Sequence, residues 1–169
     1  MNPNLAMLNA MPEDLAETAL RACCGSAIWA RRMADARPFD SLAAVHAEAE
    51  RIWWDLERED WLQAFAAHPK IGEQKAPSAS EQSRSWSQQE QSAASGAAAE
   101  TLAALARDNA AYEQRFGHIY IVCATGKTAE EMLALLRGRL QNDSGTELKI
   151  AAGEQAKITR LRLEKFLGG

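Results

Sequence analysis

Cysteine is scarce in this sequence. Of its 169 residues only Cys23, Cys24 and Cys123 carry thiols, two of them adjacent, and adjacent cysteines rarely bridge each other. A disulfide framework is excluded, and all three read as reduced, buried, small apolar residues. Metal-ligand spacing is missing too: His46, His68 and His118 are scattered, and neither Cys-x-x-Cys nor His-Glu-x-x-His occurs. No metal site is expected. Basic residues form no block, and 19 Lys and Arg against 23 Asp and Glu leave a net charge of -4, so the electrostatic footprint of a nucleic-acid binder is absent. The glycine pattern that cradles phosphates is lacking as well. Ala124-Thr125-Gly126-Lys127-Thr128 ends in a Walker-like Gly-Lys-Thr without the earlier glycine, and reads more simply as a turn before a helix cap. No apolar run is long enough to span a bilayer, and Met1-Asn2-Pro3-Asn4 lacks the basic and apolar regions of a signal peptide. A soluble intracellular protein with no membrane partner is expected.

What is present is helix. Hydrophobic residues make up 47% of the chain, enough for one core, so residues 1–169 are read as one domain. Pro12, Glu13 and Asp14 open a first helix, with Leu15, Ala19 and Cys23 on one stripe and Gly25 ending it. A second starts at Ser26 and halts before Pro38. Asp40 or Ser41 caps a third, in which Leu42, Val45, Ala49, Ile52, Trp53 and Leu56 recur at helical spacing. A fourth turns Trp61, Leu62 and Phe65 inward and exits at His68-Pro69. From Lys70 to Trp86 the Gly, Pro, Ser and Gln content predicts a loop. Ser87 to about Arg115 predicts one long helix, with Gly96 as the point for a bend. His118 to Ala124 has strand-like composition and no partner to pair with, so it is read as a short extended crossing through a helical core. Thr128 and Glu131 form a capping box for the next helix, and Thr146 caps a last one running to about Leu167. The fold expected is all-α, a single-domain bundle of about seven to eight helices with one short extended buried segment.

Three places stand out chemically. Proline disfavours helix in the residue before it, so His68 sits at a helix exit with its imidazole off the regular face. Imidazole is the side chain whose ordinary pKa allows proton transfer near neutrality, although a His-Pro pair is also a plain helix stop. Ser87 with Glu90 fits a capping box that needs no function. Alternatively, Glu90 or Gln91 on the first turn of that helix faces the same space as His68 and orients it. On the final helix Arg162 falls near the centre of the stripe formed by Leu148, Ala151, Ile158, Leu161 and Phe166, while Arg160 points away. A guanidinium there is either salt-bridged or holds a carboxylate or planar urea-like group with its fork of donors. The five tryptophans are read mostly as core, with Trp86 a pocket-lining candidate.

His68-Pro69-Lys70-Ile71-Gly72, Trp86-Ser87-Gln88-Gln89-Glu90-Gln91, Phe116 to Val122 and Glu154 to Leu163, in this order, closely resemble the bacterial OHCU decarboxylases. The abbreviation stands for 2-oxo-4-hydroxy-4-carboxy-5-ureidoimidazoline. The resemblance runs from Leu8 to Leu167. It implies an all-helical, cytoplasmic, commonly dimeric enzyme that needs no cofactor and releases CO2 to form S-allantoin in urate catabolism. By the same resemblance His68 matches the catalytic proton donor and Glu90 its acidic partner. Pro69, Ser87, Gln88, Gln89, Gln91, His118, Ile119, Tyr120, Ile121, Val122 and Arg162 match substrate-binding positions. Many relatives carry an acid after His-Pro, where this sequence has Lys70. Two rival readings are a helical interaction module docking a partner through the segment from Lys70 to Trp86, and a hydrolase or lyase of another ureido compound.

Overall fold

Asn2 and Pro3 begin the first helix, which the sequence reading did not include. In a computed structural model describing residues 2–71, 81–92 and 98–168, the Asn2 carboxamide oxygen accepts from the amides of Asn4 and Leu5 at 2.9 and 3.1 Å. That satisfies two of the donors a helix start leaves unpaired, and the proline sits where no amide is needed. The resulting α1 (Pro3–Ala10) is followed by α2 (Glu13–Cys23), α3 (Ala27–Asp35), α4 (Leu42–Trp54), α5 (Arg58–Ala66), α6 (Glu81–Glu90), α7 (Ala99–Phe116), α8 (Ala129–Arg139) and α9 (Ser144–Leu167). The described residues thus form nine helices and no strand, and the all-helical class holds.

The chain forms two compact units, Met1–Ala64 with Ala156–Gly169, and Phe65–Gln155. In the first, α3 packs on both α2 and α4, and the Trp29 indole N–H reaches the Ala49 carbonyl at 3.2 Å. Ser26 and Ser41 cap α3 and α4 as read. On α2 the stripe is rotated from the one expected: Ala16, Leu20 and Cys23 are buried, whereas Leu15 is 55% exposed. Alanine and cysteine are small enough that both stripes fit the spacing. Arg37 donates to the carbonyls of Leu8 at 2.8 Å, Met11 at 2.7 Å and Ala34 at 2.8 Å, closing the ends of α1 and α3.

In the second unit α7 packs on α8 around Leu105, Tyr112, Phe116, Tyr120, Val122, Met132 and Leu136. Two expectations fail here. The loop predicted up to Trp86 gives way at Glu81 to α6, and the long helix predicted from Ser87 does not form, because α6 ends at Glu90 and α7 starts at Ala99. Gly96 and most of the predicted loop, residues 72–80, lie outside the described residues. The buried face of α6 is Ser83, Trp86, Ser87 and Glu90, a helical stripe that is mostly polar and so has no apolar period to detect. Ser87 is consequently not an N-cap; its hydroxyl donates to the Ser83 carbonyl one turn back, at 2.9 Å. Trp86 is buried rather than presented to a partner.

Residues 119–124 are neither helix nor strand, Tyr120 to Ala124 are buried, as read, and the chain turns at Thr125 and Gly126 before α8. Gly117 ends α7 at φ +78°, a left-handed conformation that favours glycine, with its amide on the Glu113 carbonyl at 2.8 Å. Without a strand beside it, the segment bonds to side chains. Arg139 donates to the Ile121 carbonyl at 2.5 Å, Lys127 to the Cys123 carbonyl at 2.6 Å, and the Glu154 carboxylate accepts from the Cys123 amide at 3.2 Å. Thr128 caps α8 by accepting the Glu131 amide at 3.1 Å. At α9 the cap is Asp143, not Thr146: its carboxylate accepts both the amide and the hydroxyl of Thr146 at 2.9 Å.

Candidate active site

Helix α5 ends because Pro69 follows His68, and the last bond of the turn runs from the His68 amide to the Phe65 carbonyl at 3.1 Å. His68 is half-buried and Pro69 buried. The imidazole Nε2 lies 2.6 Å from Oε1 of Gln155, a fully buried side chain on α9. One turn before the histidine, the Phe65 ring packs on that of His118 with centroids 5.3 Å apart, so the exit of α5 meets the start of the extended segment. The His118 ring also stands against Tyr112 and Phe116, and its Nδ1 is 3.0 Å from the Ile119 carbonyl. Lys70 pairs with Glu113 of α7 at 3.0 Å.

Glu90 occupies the last residue of α6, not the first turn of a helix, and is 9% exposed. Its carboxylate acts on the extended segment. Burial raises the Cys123 thiol pKa, Lys127 opposes this, and the carboxylates of Glu154 and Glu90 add to it. Glu90, Glu154 and Cys123 therefore share one electrostatic neighbourhood. Ser87 lies on the buried face with Glu90, Gln91 is half-buried, and Gln88 and Gln89 are on the exposed face. The second unit so contains the imidazole, Glu90 and the segment from His118 to Val122.

Arg162 belongs to the first unit. It is 2% exposed and buried as read, although Leu148, Leu161 and Phe166 of the expected stripe are only partly buried, and it donates to the Ala22 carbonyl at 3.2 Å. Its charge pulls on the thiols of Cys23 and Cys24, but burial wins and holds them at about 12 and about 11. Arg160 is exposed, as expected. A cleft in this unit of about 10 Å³, room for one water, is lined by His46, Glu50, Trp53, Thr159, Arg160 and Leu163. It includes none of the predicted site residues.

Sequence reasoning missed Gln155 and Glu154 as site residues. The signal was their place: both sit in the motif from Glu154 to Leu163, and residue 155 falls one turn before Ile158 and Thr159 on the buried stripe of α9. A buried glutamine needs a reason, because its amide must find partners.

An imidazole at a helix exit, its Nε2 engaged by a buried amide, and a nearly buried carboxylate at an extended backbone segment define a helical protein equipped for acid–base chemistry. Residues 9–164 match the profile of the OHCU decarboxylase family, and the chain belongs to that family. It is 41% identical over 158 residues to the uric acid degradation bifunctional protein TTL of Arabidopsis thaliana, covering 92% of this chain and 48% of that protein. To the uric acid degradation bifunctional protein PucL of Bacillus subtilis (strain 168) it is 29% identical, over 95% of this chain and 32% of that one. The chain thus spans about half or less of these curated relatives. The crystal structure of OHCU decarboxylase in the presence of (S)-allantoin matches at TM-score 0.79 and 35% identity, over 94% of this chain and 100% of that one. The crystal structure of (S)-allantoin synthase matches in fold at TM-score 0.72 and 18% identity, covering 96% of this chain and 53% of that one.

Proposed function

We propose that this chain decarboxylates 2-oxo-4-hydroxy-4-carboxy-5-ureidoimidazoline to (S)-allantoin and CO2, in the breakdown of urate, with His68 as proton donor. Family membership supports the reaction, and the relatives named for uric acid degradation support the pathway. The observation that carries the residue assignment is the half-buried imidazole leaving α5 at Pro69 with its Nε2 held by Gln155.

In the proposed step the bond between the ring carbon and the carboxylate breaks, CO2 leaves, and the electron pair moves into the ring toward the neighbouring imine. One proton must then be added to one face of the ring. His68 delivers it, which sets the configuration of the product. Glu90, at the end of α6, balances the imidazolium. Ser87, Gln88, Gln89, Gln91, Pro69 and the segment from His118 to Val122 bind the ring and ureido group, and Arg162 binds an anionic or urea-like part with its guanidinium. The reading includes a homodimer in the cytoplasm; no helix among the described residues is long and apolar enough to cross a membrane. Light scattering on the purified chain tests the dimer.

The test of the reaction is CO2 release and the optical activity of the product from freshly generated substrate. A positioned general acid is worth about a hundred- to ten-thousand-fold, so His68→Ala lowers kcat by that order with a much smaller change in KM. Near-normal turnover with intact stereochemistry in His68→Ala would remove the proton-donor role. An inert wild-type chain would remove the reaction itself.

A further inference from the structure

The peptide planes on both sides of Val122 are fixed by charged side chains. On one side the Ile121 carbonyl accepts from Arg139 Nη1 at 2.5 Å, and on the other the Cys123 amide donates to Glu154 at 3.2 Å. Neither peptide bond is cis, and in a planar trans peptide the carbonyl and the following N–H point in opposite directions. The Val122 N–H is therefore turned away from Arg139. Val122 is buried, and among the described residues its amide has no hydrogen-bond partner, which makes it a donor in want of an acceptor. We infer that Arg139, held by Glu147, is a positioning residue that aims the Val122 amide at the atom of the substrate ring that takes up charge as CO2 leaves. This rests on the reaction proposed above, and adds to it the side chains that set the donor's direction.

All of these groups lie in the second unit, and the guanidinium has little freedom there. Oε1 of Glu147 accepts from Arg139 Nε at 2.7 Å, from Nη2 at 2.5 Å and from the Tyr112 hydroxyl, while Oε2 accepts from the Asn142 amide at 3.1 Å. With Nε and Nη2 committed, the planar fork offers Nη1 in one direction, and the Ile121 carbonyl stands there. Tyr120 is tied to the same helix: its ring centroid is 4.7 Å from the guanidinium carbon, and its hydroxyl donates to the Met132 carbonyl of α8 at 3.1 Å. A buried ion pair is a weak source of net stability, because apolar side chains of similar volume often replace it at little cost. Such side chains cannot hold a carbonyl. An amide aimed at growing negative charge acts on the transition state more than on the ground state, and losing one such donor costs about a hundred- to a thousandfold in kcat. Mis-aiming it costs part of that.

Two variants separate positioning from plain support. Glu147→Leu with Arg139→Met removes the hold on Ile121 without leaving a buried charge, whereas Tyr112→Phe removes a buried hydrogen bond to Glu147 and leaves Arg139 on the carbonyl. In the double variant kcat is expected to fall by about ten- to a hundredfold with KM within about threefold, and in Tyr112→Phe both constants stay within about threefold of wild type, whichever variant has the lower urea midpoint. Amide NMR of 15N-labelled protein without substrate gives a second reading: one sharp Val122 resonance in wild type and Tyr112→Phe, and a broadened or doubled one in the double variant. Arg139→Lys keeps a cation for Glu147 without the planar fork, and gives the same two readings where the double variant does not fold. Wild-type kcat in a folded variant at Arg139 overturns the inference, as does a kcat that falls in step with the urea midpoint across the series, or a Val122 resonance that none of the variants changes. If the wild type releases no CO2 while Val122 responds as expected, the functional reading fails and the hold of Arg139 on that peptide stands, so the two failures are distinguishable.

Discussion

Neutralising Glu147 should cost this protein a large share of its stability. The Glu147 carboxylate is fully buried and accepts from the Tyr112 hydroxyl, from Arg139 Nε at 2.7 Å and Nη2 at 2.5 Å, and from the Asn142 amide at 3.1 Å. Arg139 is itself buried, with its guanidinium 4.7 Å from the Tyr120 ring centroid and one Nη on the Ile121 carbonyl. Burial by itself would lower the arginine pKa, but the bond to Glu147 and the nearby tyrosines outweigh it and hold the cation. Glu147→Gln keeps the volume and removes the counter-charge, leaving a guanidinium that cannot shed its proton. Breaking one side of a buried ion pair typically costs about 3–5 kcal/mol, against a total of about 5–15 kcal/mol for a domain. Urea unfolding at pH 7 of the wild type, Glu147→Leu, Arg139→Met and the double variant Glu147→Leu with Arg139→Met gives the full cycle, with Glu147→Gln measured beside it. Each single variant is expected to lose about 3 kcal/mol or more, and the double variant, which replaces the pair by apolar groups, to lose less than the sum. A loss under about 1 kcal/mol in Glu147→Gln, or strict additivity, would refute the reasoning.

Arg162→Ala, assayed on folded protein, should raise KM far more than it lowers kcat; an unchanged KM would contradict its binding role. Cys23 and Cys24 should resist alkylation at neutral pH until the protein unfolds, because burial pushes them to about 12 and about 11, and rapid labelling of native protein would contradict this. Since those thiols sit above their ordinary 9.0, their contribution to stability is complete below pH 9 and is lost as pH rises toward 11 and 12, measurable as a falling urea midpoint. Asn109 of α7 is buried with an Nδ2 that has no partner among the described residues, so Asn109→Leu should raise the thermal midpoint, by up to about 1–3 kcal/mol of stability; a lowered midpoint would show that the amide is needed.

Legibility in the sequence followed the chemistry of each buried face. Where the face is apolar, as on α4 with Val45, Ala49, Ile52 and Trp53, spacing placed both the helix and its inner side. The extended crossing was legible because a short apolar run with no second such run has nothing to pair with. What lay outside sequence reach was how its carbonyls and amides are satisfied, since Arg139 and Glu154 are distant in the chain and look like ordinary surface charges. α1 was missed although Asn2 and Pro3 carry a full start signal; in eight residues there is too little repeat for periodicity to register.

The candidate site was legible by residue type and not by placement. His68 could be located because proline disfavours helix in the residue before it, a local rule independent of tertiary structure. Glu90 was assigned to the site, yet to the wrong end of a helix, since Ser87 and Glu90 at three-residue spacing serve equally as a capping box and as two members of a buried stripe. The choice between them depends on whether residues 81–86 are helical, and that stretch gains its helix by burying Trp86 among serines. The same ambiguity hid Gln155. On α9 the inner stripe holds Glu147, Gln155, Thr159 and Arg162 among its alanines and leucines, so hydrophobicity understates how much of the helix is inside. Only the arginine stood out, because a charge that cannot be neutralised is the costliest group to bury. A glutamine costs less to bury and is common on surfaces, so its role emerges only when its partner is seen. In this chain functional polarity is therefore concentrated where periodicity is weakest, on α6 and α9, and buried positions there that carry Ser, Thr, Gln or Glu are the ones to substitute first.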